Sequence, residues 1–214
     1  MKILFLAILC SLTFGICHAQ NTSVVQGTMI DDRDDQTYQT VTYTRVLPDP
    51  ARTKVVFTWM AENLNYNMEG ADCYNDSNEN CETYGRLYTW DDAIKACPLG
   101  WRLATDEDWY LLSFAYGGNC SSGKALKSDS ELWTSTKRRG TNTSLFNGLP
   151  SGSKGSTGGY FGLGNSVIFW SATERDETTV WDWKFIRESE LQRWYGGKMG
   201  KHCVRCVKNE VSVK

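Results

Sequence analysis

The residues best suited to chemistry in this sequence are its cysteines, of which there are eight. Cys10 and Cys17 lie in an apolar N-terminal stretch, and six more follow it. Thiolates bind metals and act as nucleophiles, whereas oxidised cysteines form structural disulfides, so their role depends on the compartment. The six later cysteines are Cys73, Cys81, Cys97, Cys120, Cys203 and Cys206.

Residues 1–19 have the pattern of a secretory signal peptide. Lys2 supplies the positive charge, Ile3 to Ile16 form an apolar run, and Cys17-His18-Ala19 is a small-residue cleavage site. We therefore predict a protein that is secreted or held on the outer cell surface and starts near Gln20. In that environment an even set of cysteines first indicates disulfides.

Cysteine spacing restricts the pairing. Cys73 and Cys81 enclose a polar, turn-forming segment, so we expect a disulfide between them. Cys203 and Cys206 are an odd number of positions apart in an extended stretch, so they point to opposite faces of a strand and need distant partners. The cysteines left over are Cys97 and Cys120.

The Cys203-x-x-Cys206 spacing, beside His202, is also typical of zinc or redox sites. A second Cys-x-x-Cys or histidine pair is missing, and the motif does not open a helix after a strand. His202 is the one histidine after the N-terminal segment, so a general base or a Cys-His device would have to use it. We favour structural roles for all three and predict no cofactor and no metal site.

Carboxylates are the other candidates for catalysis. Glycoside hydrolysis needs two of them about 5 to 9.5 Å apart across a cleft. Nothing in the spacing of the candidates requires this, and the polar segment 75–80 lacks the spacing of a calcium-binding EF-hand. We predict that the protein is not an enzyme. The candidate carboxylates are Glu62, Glu174, Asp176 and Asp182.

Aromatic residues suggest binding instead, since the chain has nine tryptophans. Trp181 and Trp183 share one face of a predicted strand by its period of two, and Trp194 lies on the next predicted strand. Core packing is the favoured interpretation of these three, and a platform for stacking sugar rings is the alternative, which makes them candidate ligand-binding residues.

A glycine-rich segment, Gly140 to Gly164, is predicted as an ordered long loop with little regular structure. It is a candidate recognition surface next to the tryptophan strands; alternatively it only caps the core through Phe146, Tyr160 and Phe161. No acidic residue occurs from Leu132 to Thr173, so basic residues there could bind acidic groups. They are Lys137, Arg138, Arg139 and Lys154.

Local patterns predict the elements that position these residues. Strands are expected over Thr37 to Thr44 and Lys54 to Met60, and a capping threonine, Thr89 or Thr105, starts each of two helices. Those helices end at Cys97-Pro98 and Gly117-Gly118. Further short strands are expected over Val167 to Trp170, Val180 to Ile186, Gln192 to Tyr195 and His202 to Val207.

Composition excludes two classes of function. The net charge of −2 is too weak and mixed to recruit nucleic acid. After the signal, no apolar run approaches the ~18 residues needed to cross a bilayer, so we predict no membrane span.

Several sequence blocks together resemble the Fibrobacter succinogenes major paralogous domain family. They are Asp-Arg-Asp-x-Gln-Thr-Tyr (32–38), Trp-Met-Ala-Glu-Asn-Leu-Asn-Tyr (59–66), Tyr-Gly-Arg-Leu-Tyr-Thr-Trp (84–90), Ala-Cys-Pro-x-Gly-Trp-x-Leu (96–103), Leu-Pro-x-Gly (149–152), Phe-Trp-Ser-x-Thr-Glu (169–174) and Val-Arg-Cys-Val (204–207). One departure is Asp35, where the family usually has glycine.

The resemblance implies an exported bacterial protein with an α+β, C-type lectin-like fold: two helices, small antiparallel sheets and a long irregular loop region. A disulfide that ties the first helix to the last strand would join Cys97 to Cys206, which leaves Cys120 to pair with Cys203. The domain would span 31–208, after a polar segment at 20–30 and before a tail at 209–214.

We therefore expect a non-catalytic binding module whose partner is a polysaccharide or a cell-surface protein. A structural envelope or matrix protein is the first alternative. An enzyme similar to formylglycine-generating enzymes comes third, because it would need a reduced, exposed cysteine pair.

Overall fold

The computed structural model describes residues 22–47, 49–209 and 212–213, so the predicted signal peptide lies outside the described residues. The strands are β1 (Thr22–Asp31), β2 (Gln36–Val46), β3 (Lys54–Met60), β4 (Leu87–Tyr88), β5 (Trp101–Leu103), β6 (Ser151–Lys154), β7 (Tyr160–Leu163), β8 (Val167–Glu174), β9 (Thr179–Phe185), β10 (Gln192–Gly197), β11 (His202–Cys203), β12 (Cys206–Lys208) and β13 (Ser212–Val213). The α-helices are α1 (Asn78–Tyr84), α2 (Trp90–Ala96), α3 (Asp106–Ala115) and α4 (Ser122–Leu126). The predicted α+β class is confirmed.

The first sheet has the order β1-β2-β3-β12-β5, and β13 also pairs with β3. Its first strand includes most of the segment that the sequence analysis described only as polar, since Thr22–Asp31 pairs along its whole length with β2. Most of β1 is exposed, Val25 and Ile30 included, so the alternation that marks a half-buried strand is missing. Asp35 closes the hairpin at φ 57°, a conformation that favours glycine.

The second sheet has the order β10-β9-β8-β11-β4. The β6–β7 hairpin joins it through β6, which runs parallel to β8 at Gly152 and Val167. This hairpin corrects the expectation of little regular structure between Gly140 and Gly164. Its strands are four residues each and glycine-containing, which is why their local pattern resembled a loop.

The two predicted helices are confirmed, and their threonine caps explain where they begin. The Thr89 hydroxyl accepts a hydrogen bond from the amide of Asp92, 3.3 Å away. At α3 the box is reciprocal, because Asp108 N donates to Thr105 Oγ1 and Thr105 N donates to Asp108 Oδ2. Among the described residues, no helix is long and apolar enough to cross a membrane.

The main core lies between the two sheets and α3, and a second apolar cluster lies where α2 covers the other face of the second sheet. A fully buried arginine, Arg205, fixes the irregular segment over the main core. It donates to Asn63 Oδ1 and to the carbonyls of Met60, Phe146 and Asn147, so its five donors are largely satisfied. Burial lowers the pKa of Arg205 to about 10.

The cysteines match the predicted pairing in two of three cases. Cys73 is joined to Cys81, and Cys97 at the end of α2 is joined to Cys206 in β12. The predicted bond between Cys120 and Cys203 is not present and is corrected here. Cys203 is buried between β4 and β8, whereas Cys120 is exposed in the turn before α4. Pairing the last two cysteines by elimination ignored this difference in burial.

Candidate functional site

The register of β8, β9 and β10 divides their side chains between two faces. Phe169, Trp183 and Arg193 are direct partners across the strands and lie on the face that packs against α3. Asp182 is paired with Trp170 on one side and Trp194 on the other, so these three belong to the opposite face. We call the first the inner face and the second the outer face.

Side chains of the inner face pack against Asp106, the first residue of α3, and hydrogen-bond to it. Its Oδ1 accepts from Trp183 Nε1 at 2.9 Å, and both of its oxygens accept from Arg193 Nε. Trp183 is fully buried and stacks on Trp109, with ring centroids 6.1 Å apart. Trp183 therefore cannot offer a ring to a ligand, which corrects its place in the predicted platform.

The other two tryptophans of that platform lie on different faces. Trp181, on the inner face, is partly covered because the Arg193 guanidinium lies 3.2 Å from its ring centroid. Trp194, on the outer face, is 56% exposed and lies parallel to Tyr195 with centroids 5.9 Å apart. The structure thus reduces the predicted trio to one open ring, Trp194.

The outer face holds a cleft of about 500 Å³, which we call the Asp182 cleft. Asp182 is the only acid among its described lining residues, and glycines form much of one wall. The lining residues are Lys154, Gly155, Ser156, Phe161, Ile168, Asp182, Lys184, Gly196, Gly197, Met199, Gly200 and His202.

Asp182 is a buried carboxylate with few partners. It is 1% exposed, and Lys184 Nζ lies 3.3 Å from its Oδ1. That contact is an ion pair without hydrogen-bond geometry, since Oδ1 receives no hydrogen bond from any described residue. Burial raises the pKa of the carboxyl to about 6, although the Lys184 charge opposes the rise. The group therefore has unused capacity to accept hydrogen bonds.

His202 adds a second acceptor to the same cleft. Its Nδ1 lies 2.9 Å from the carbonyl oxygen of Lys201, and a carbonyl can only accept, so Nδ1 carries the proton. Burial lowers the pKa of the imidazole to about 3, which keeps the ring neutral. Its Nε2 is left as an acceptor, and the ring packs on Trp170 with centroids 4.0 Å apart.

The β6–β7 hairpin supplies the facing wall, which confirms that the glycine-rich segment lies next to the tryptophan strands. Phe161 is 49% exposed, and Lys154 Nζ lies 2.5 Å from Asp72 Oδ2. Arg138 and Arg139 are not part of either wall: Arg138 donates to the carbonyl of Asn165, and the Arg139 guanidinium lies 4.0 Å from Glu131. Lys154 is thus the one predicted basic ligand-binding residue that lines the cleft.

A second cleft of about 680 Å³, the Trp194 cleft, adjoins the first. Lys184 lines both clefts, and its Nζ lies 5.7 Å from the centroid of the Trp194 ring. The remaining lining residues are Asn119, Cys120, Ile186, Arg187, Glu190, Leu191, Gln192, Arg193 and Trp194.

The candidate catalytic groups are scattered. Asp176 accepts hydrogen bonds within its own turn, Glu174 contacts Lys198, and Glu62 accepts from the amide of Gln39. In the described part of the chain, no three His, Cys, Asp or Glu residues are grouped to hold a metal ion. Burial raises the pKa of the Cys203 thiol to about 12, so it is a poor source of thiolate.

Sequence reasoning missed Lys184 and gave Asp182 and His202 no binding role. One signal was present: Asp182 and Lys184 alternate with Trp183 and Phe185 in β9. Two charged residues at a period of two, opposite an aromatic face, indicate a strand with one side open to solvent.

The fold and the clefts define a disulfide-bonded α+β protein with one closed and one open face on its second sheet. A family model described as Fibrobacter succinogenes major domain matches residues 56–208. The chain belongs to this family, which confirms the resemblance found in its sequence blocks. No curated protein and no solved structure is significantly similar to it.

Proposed function

We propose that this chain is an exported, non-catalytic module that binds polysaccharide on the outer face of its second sheet. One observation carries the proposal: the exposed Trp194 lies beside a cleft whose floor holds Asp182, a buried carboxylate that receives no hydrogen bond at Oδ1. Sugar rings combine an apolar face, which stacks on aromatic rings, with many hydroxyl donors, which such a carboxylate needs.

The arrangement of the two clefts favours a polysaccharide over a folded protein partner. The clefts share Lys184 as a lining residue, so they are neighbours on the surface. Successive rings of a sugar chain can occupy neighbouring clefts, whereas protein interfaces generally bury broader surfaces of about 800 Å² on each partner.

A non-catalytic role agrees with the chemistry of the clefts. Glycoside hydrolysis requires two facing carboxylates, and Asp182 is the only acid among the described residues that line the Asp182 cleft. The enzyme alternative requires an exposed pair of reduced cysteines. Cys203 is fully buried, far less accessible than Cys120, which argues against that alternative.

Export and a C-type lectin-like fold are part of the same proposal. Disulfides Cys73–Cys81 and Cys97–Cys206 suit an oxidising compartment. An irregular segment at 128–150 follows α2, α3 and the short α4, and the second disulfide ties α2 to β12; both features support the lectin-like arrangement.

The direct test is affinity electrophoresis of the purified protein through gels that contain a panel of plant and bacterial cell-wall polysaccharides. We expect at least one polysaccharide to retard the protein, and Trp194→Ala to abolish most of the retardation. Tyr110→Ala is the matched control, because Tyr110 is a similarly exposed aromatic residue on α3, away from the outer face.

Retardation that survives Trp194→Ala, or that Tyr110→Ala removes equally, would contradict a site on the outer face. A protein that no polysaccharide retards would instead favour the structural envelope or matrix role. Export is tested separately, by N-terminal sequencing of the protein recovered from the medium or the cell surface, where we expect a start near Gln20.

A further inference from the structure

Resting on the proposed function, we propose that the Asp182 cleft is a subsite for an acidic sugar, a unit that carries both a carboxylate and hydroxyl groups, as a uronic acid does. The sugar carboxylate would lie against Lys184 and Lys154, and its hydroxyls would donate to Asp182 and His202. The Trp194 cleft would hold a neighbouring unit of the same chain.

The charges around the cleft favour an anion. Lys154 and Lys201 share the single carboxylate of Asp72, with Nζ to Oδ2 distances of 2.5 and 2.9 Å. Within the described ranges, the one ion pair of Lys184 is with Asp182. Three ammonium groups thus face two carboxylates, which leaves one net positive charge beside the cleft.

The Lys184 ammonium group has hydrogen-bond donors that are not used within the described part of the protein. Its ammonium has three N–H groups, and its one ionic contact, to Asp182, lacks hydrogen-bond geometry. Because its side chain is mostly buried, a ligand carboxylate would meet it in a poorly solvated site, where charge-assisted hydrogen bonds are strong. This position makes Lys184 the main determinant of a preference for acidic sugars.

The acceptors distinguish a sugar from an acidic peptide. Asp182 Oδ1 and the unprotonated Nε2 of His202 both need donors, and neither is satisfied by another carboxylate. Sugar hydroxyls supply such donors beside the acid group, whereas glutamate side chains do not. Phe161, half exposed on the facing wall, offers a ring for the apolar side of the sugar.

The glycines of the cleft wall keep the carboxylate accessible. A Cβ at Gly196 would lie 3.1 Å from Asp182 Oδ2, closer than almost any ordinary contact. A Cβ at Gly200 would lie 3.4 Å from Cε1 of His202. A side chain at Gly196 would therefore crowd Asp182, while a side chain at Gly200 would come into contact with the His202 ring.

The test compares three probes by isothermal titration calorimetry: an oligogalacturonide, its carboxyl-reduced neutral counterpart and poly-glutamate. We expect tighter binding of the oligogalacturonide than of either other probe. Lys184→Met should weaken oligogalacturonide binding by about tenfold, the loss expected for one charge-assisted hydrogen bond, and change neutral binding less than about twofold. Lys137→Met, at an exposed lysine outside both clefts, should change neither.

Removing Lys184 alone leaves Asp182 as an unpaired buried charge, which could unfold the protein. Two further variants therefore separate an effect on binding from an effect on folding. Asp182→Asn with Lys184→Met removes both charges and should show the same loss of acid preference, while Lys184→Arg should retain it. Circular dichroism confirms that each variant is folded.

The possible outcomes separate the subsite from the proposed function. Equal loss of acidic and neutral binding in Lys184→Met, or no loss of either, overturns the acidic subsite while polysaccharide binding itself stands. Poly-glutamate that binds as tightly as the oligogalacturonide overturns the assignment to sugars. Failure of both saccharide probes and of every polysaccharide in the gel panel overturns the proposed function and the subsite together.

Discussion

Two buried aspartates on opposite faces of one sheet differ in how completely they are satisfied. Asp106 on the inner face accepts from Trp183 and from two nitrogens of Arg193, while Asp182 on the outer face has only the Lys184 ion pair. Both are nearly inaccessible to water. A buried carboxylate oxygen without a hydrogen bond costs free energy, and the position of Asp182 next to an open cleft is the basis of the binding role that we propose, whereas Asp106 needs no role beyond stability.

The same contrast separates the aromatic residues. Inner-face rings such as Trp183 are packed in the core, and the partly exposed Trp181 is covered by a guanidinium. Outer-face rings at the clefts, Trp194 and Phe161, keep about half of their surface exposed. Exposed aromatic residues also occur on α3, as Tyr110 and Phe114, but at the clefts they lie close to polar acceptors without partners, and this combination is expected of a binding surface.

The largest expected effect on stability comes from removing the Asp106 carboxylate on the inner face. Asp106→Ala leaves Arg193 and the Trp183 Nε1 without their acceptor in a buried site, and should lower the free energy of unfolding by about 3 to 5 kcal/mol. Urea denaturation measures the change. Glu107→Ala, the adjacent exposed position in α3, should cost less than about 1 kcal/mol. Equal losses in the two variants would remove the distinction between a structural aspartate and a surface one.

Elements with strong local signals were more predictable from the sequence than the open cleft, because a few neighbouring residues determine them. Threonine caps at Thr89 and Thr105 give helix starts, and β3 has the bounds that its β-branched run predicts. The Cys97–Cys206 bond followed only from the family resemblance. Asp182 could not be assigned to an open cleft, since that cleft depends on β6 and β7, two glycine-containing strands that pair with each other and lie 19 to 31 residues earlier in the chain.

The β1 strand and the Cys120–Cys203 bond show where such reasoning fails. A strand that is mostly exposed, as β1 is, lacks a clear alternating pattern, so its pairing with β2 is what reveals it. Cysteine pairing by elimination assumes that every thiol is oxidised, whereas the fold places Cys203 in the core and Cys120 at the surface. Neither fact is encoded within a few residues of the position concerned.

The next largest effect is the loss of stability at acid pH that the neutral His202 on the outer face should cause. Burial lowers the pKa of His202 to about 3, so the unfolded chain takes up a proton first as the pH falls below the ordinary value near 6.5. Its stabilising contribution is complete above pH 6.5 and is lost on acidification, by about 3 kcal/mol between pH 7 and 4.5. We expect His202→Gln to lose correspondingly less stability over this interval in urea denaturation. Parallel pH profiles for the two proteins would show that His202 does not titrate as a buried group.

A smaller effect of opposite sign is expected at Asp182. Its folded pKa, raised to about 6, lies above the unfolded value near 3.9, so its contribution favours folding at low pH and is lost as the pH rises through 6. Asp182→Asn removes this loss and should be about 2 kcal/mol more stable than the natural protein at pH 7, relative to the same comparison at pH 4. A variant that is less stable at pH 7 would mean that the Lys184 pair outweighs the burial of the carboxylate.

The smallest effect on stability, and the sharpest test of the two surfaces, uses two half-exposed phenylalanines. Phe161 lies at the Asp182 cleft with 49% of its surface exposed, and Phe114 lies on α3 beneath Arg45 with 53% exposed. Either change to serine should alter the free energy of unfolding by less than about 1 kcal/mol, because neither ring fills the core. Only Phe161→Ser should weaken oligogalacturonide binding, by about fivefold, which corresponds to one ring contact. Calorimetry that finds equal losses in both variants, or a loss with Phe114→Ser alone, would place the binding surface away from the outer face.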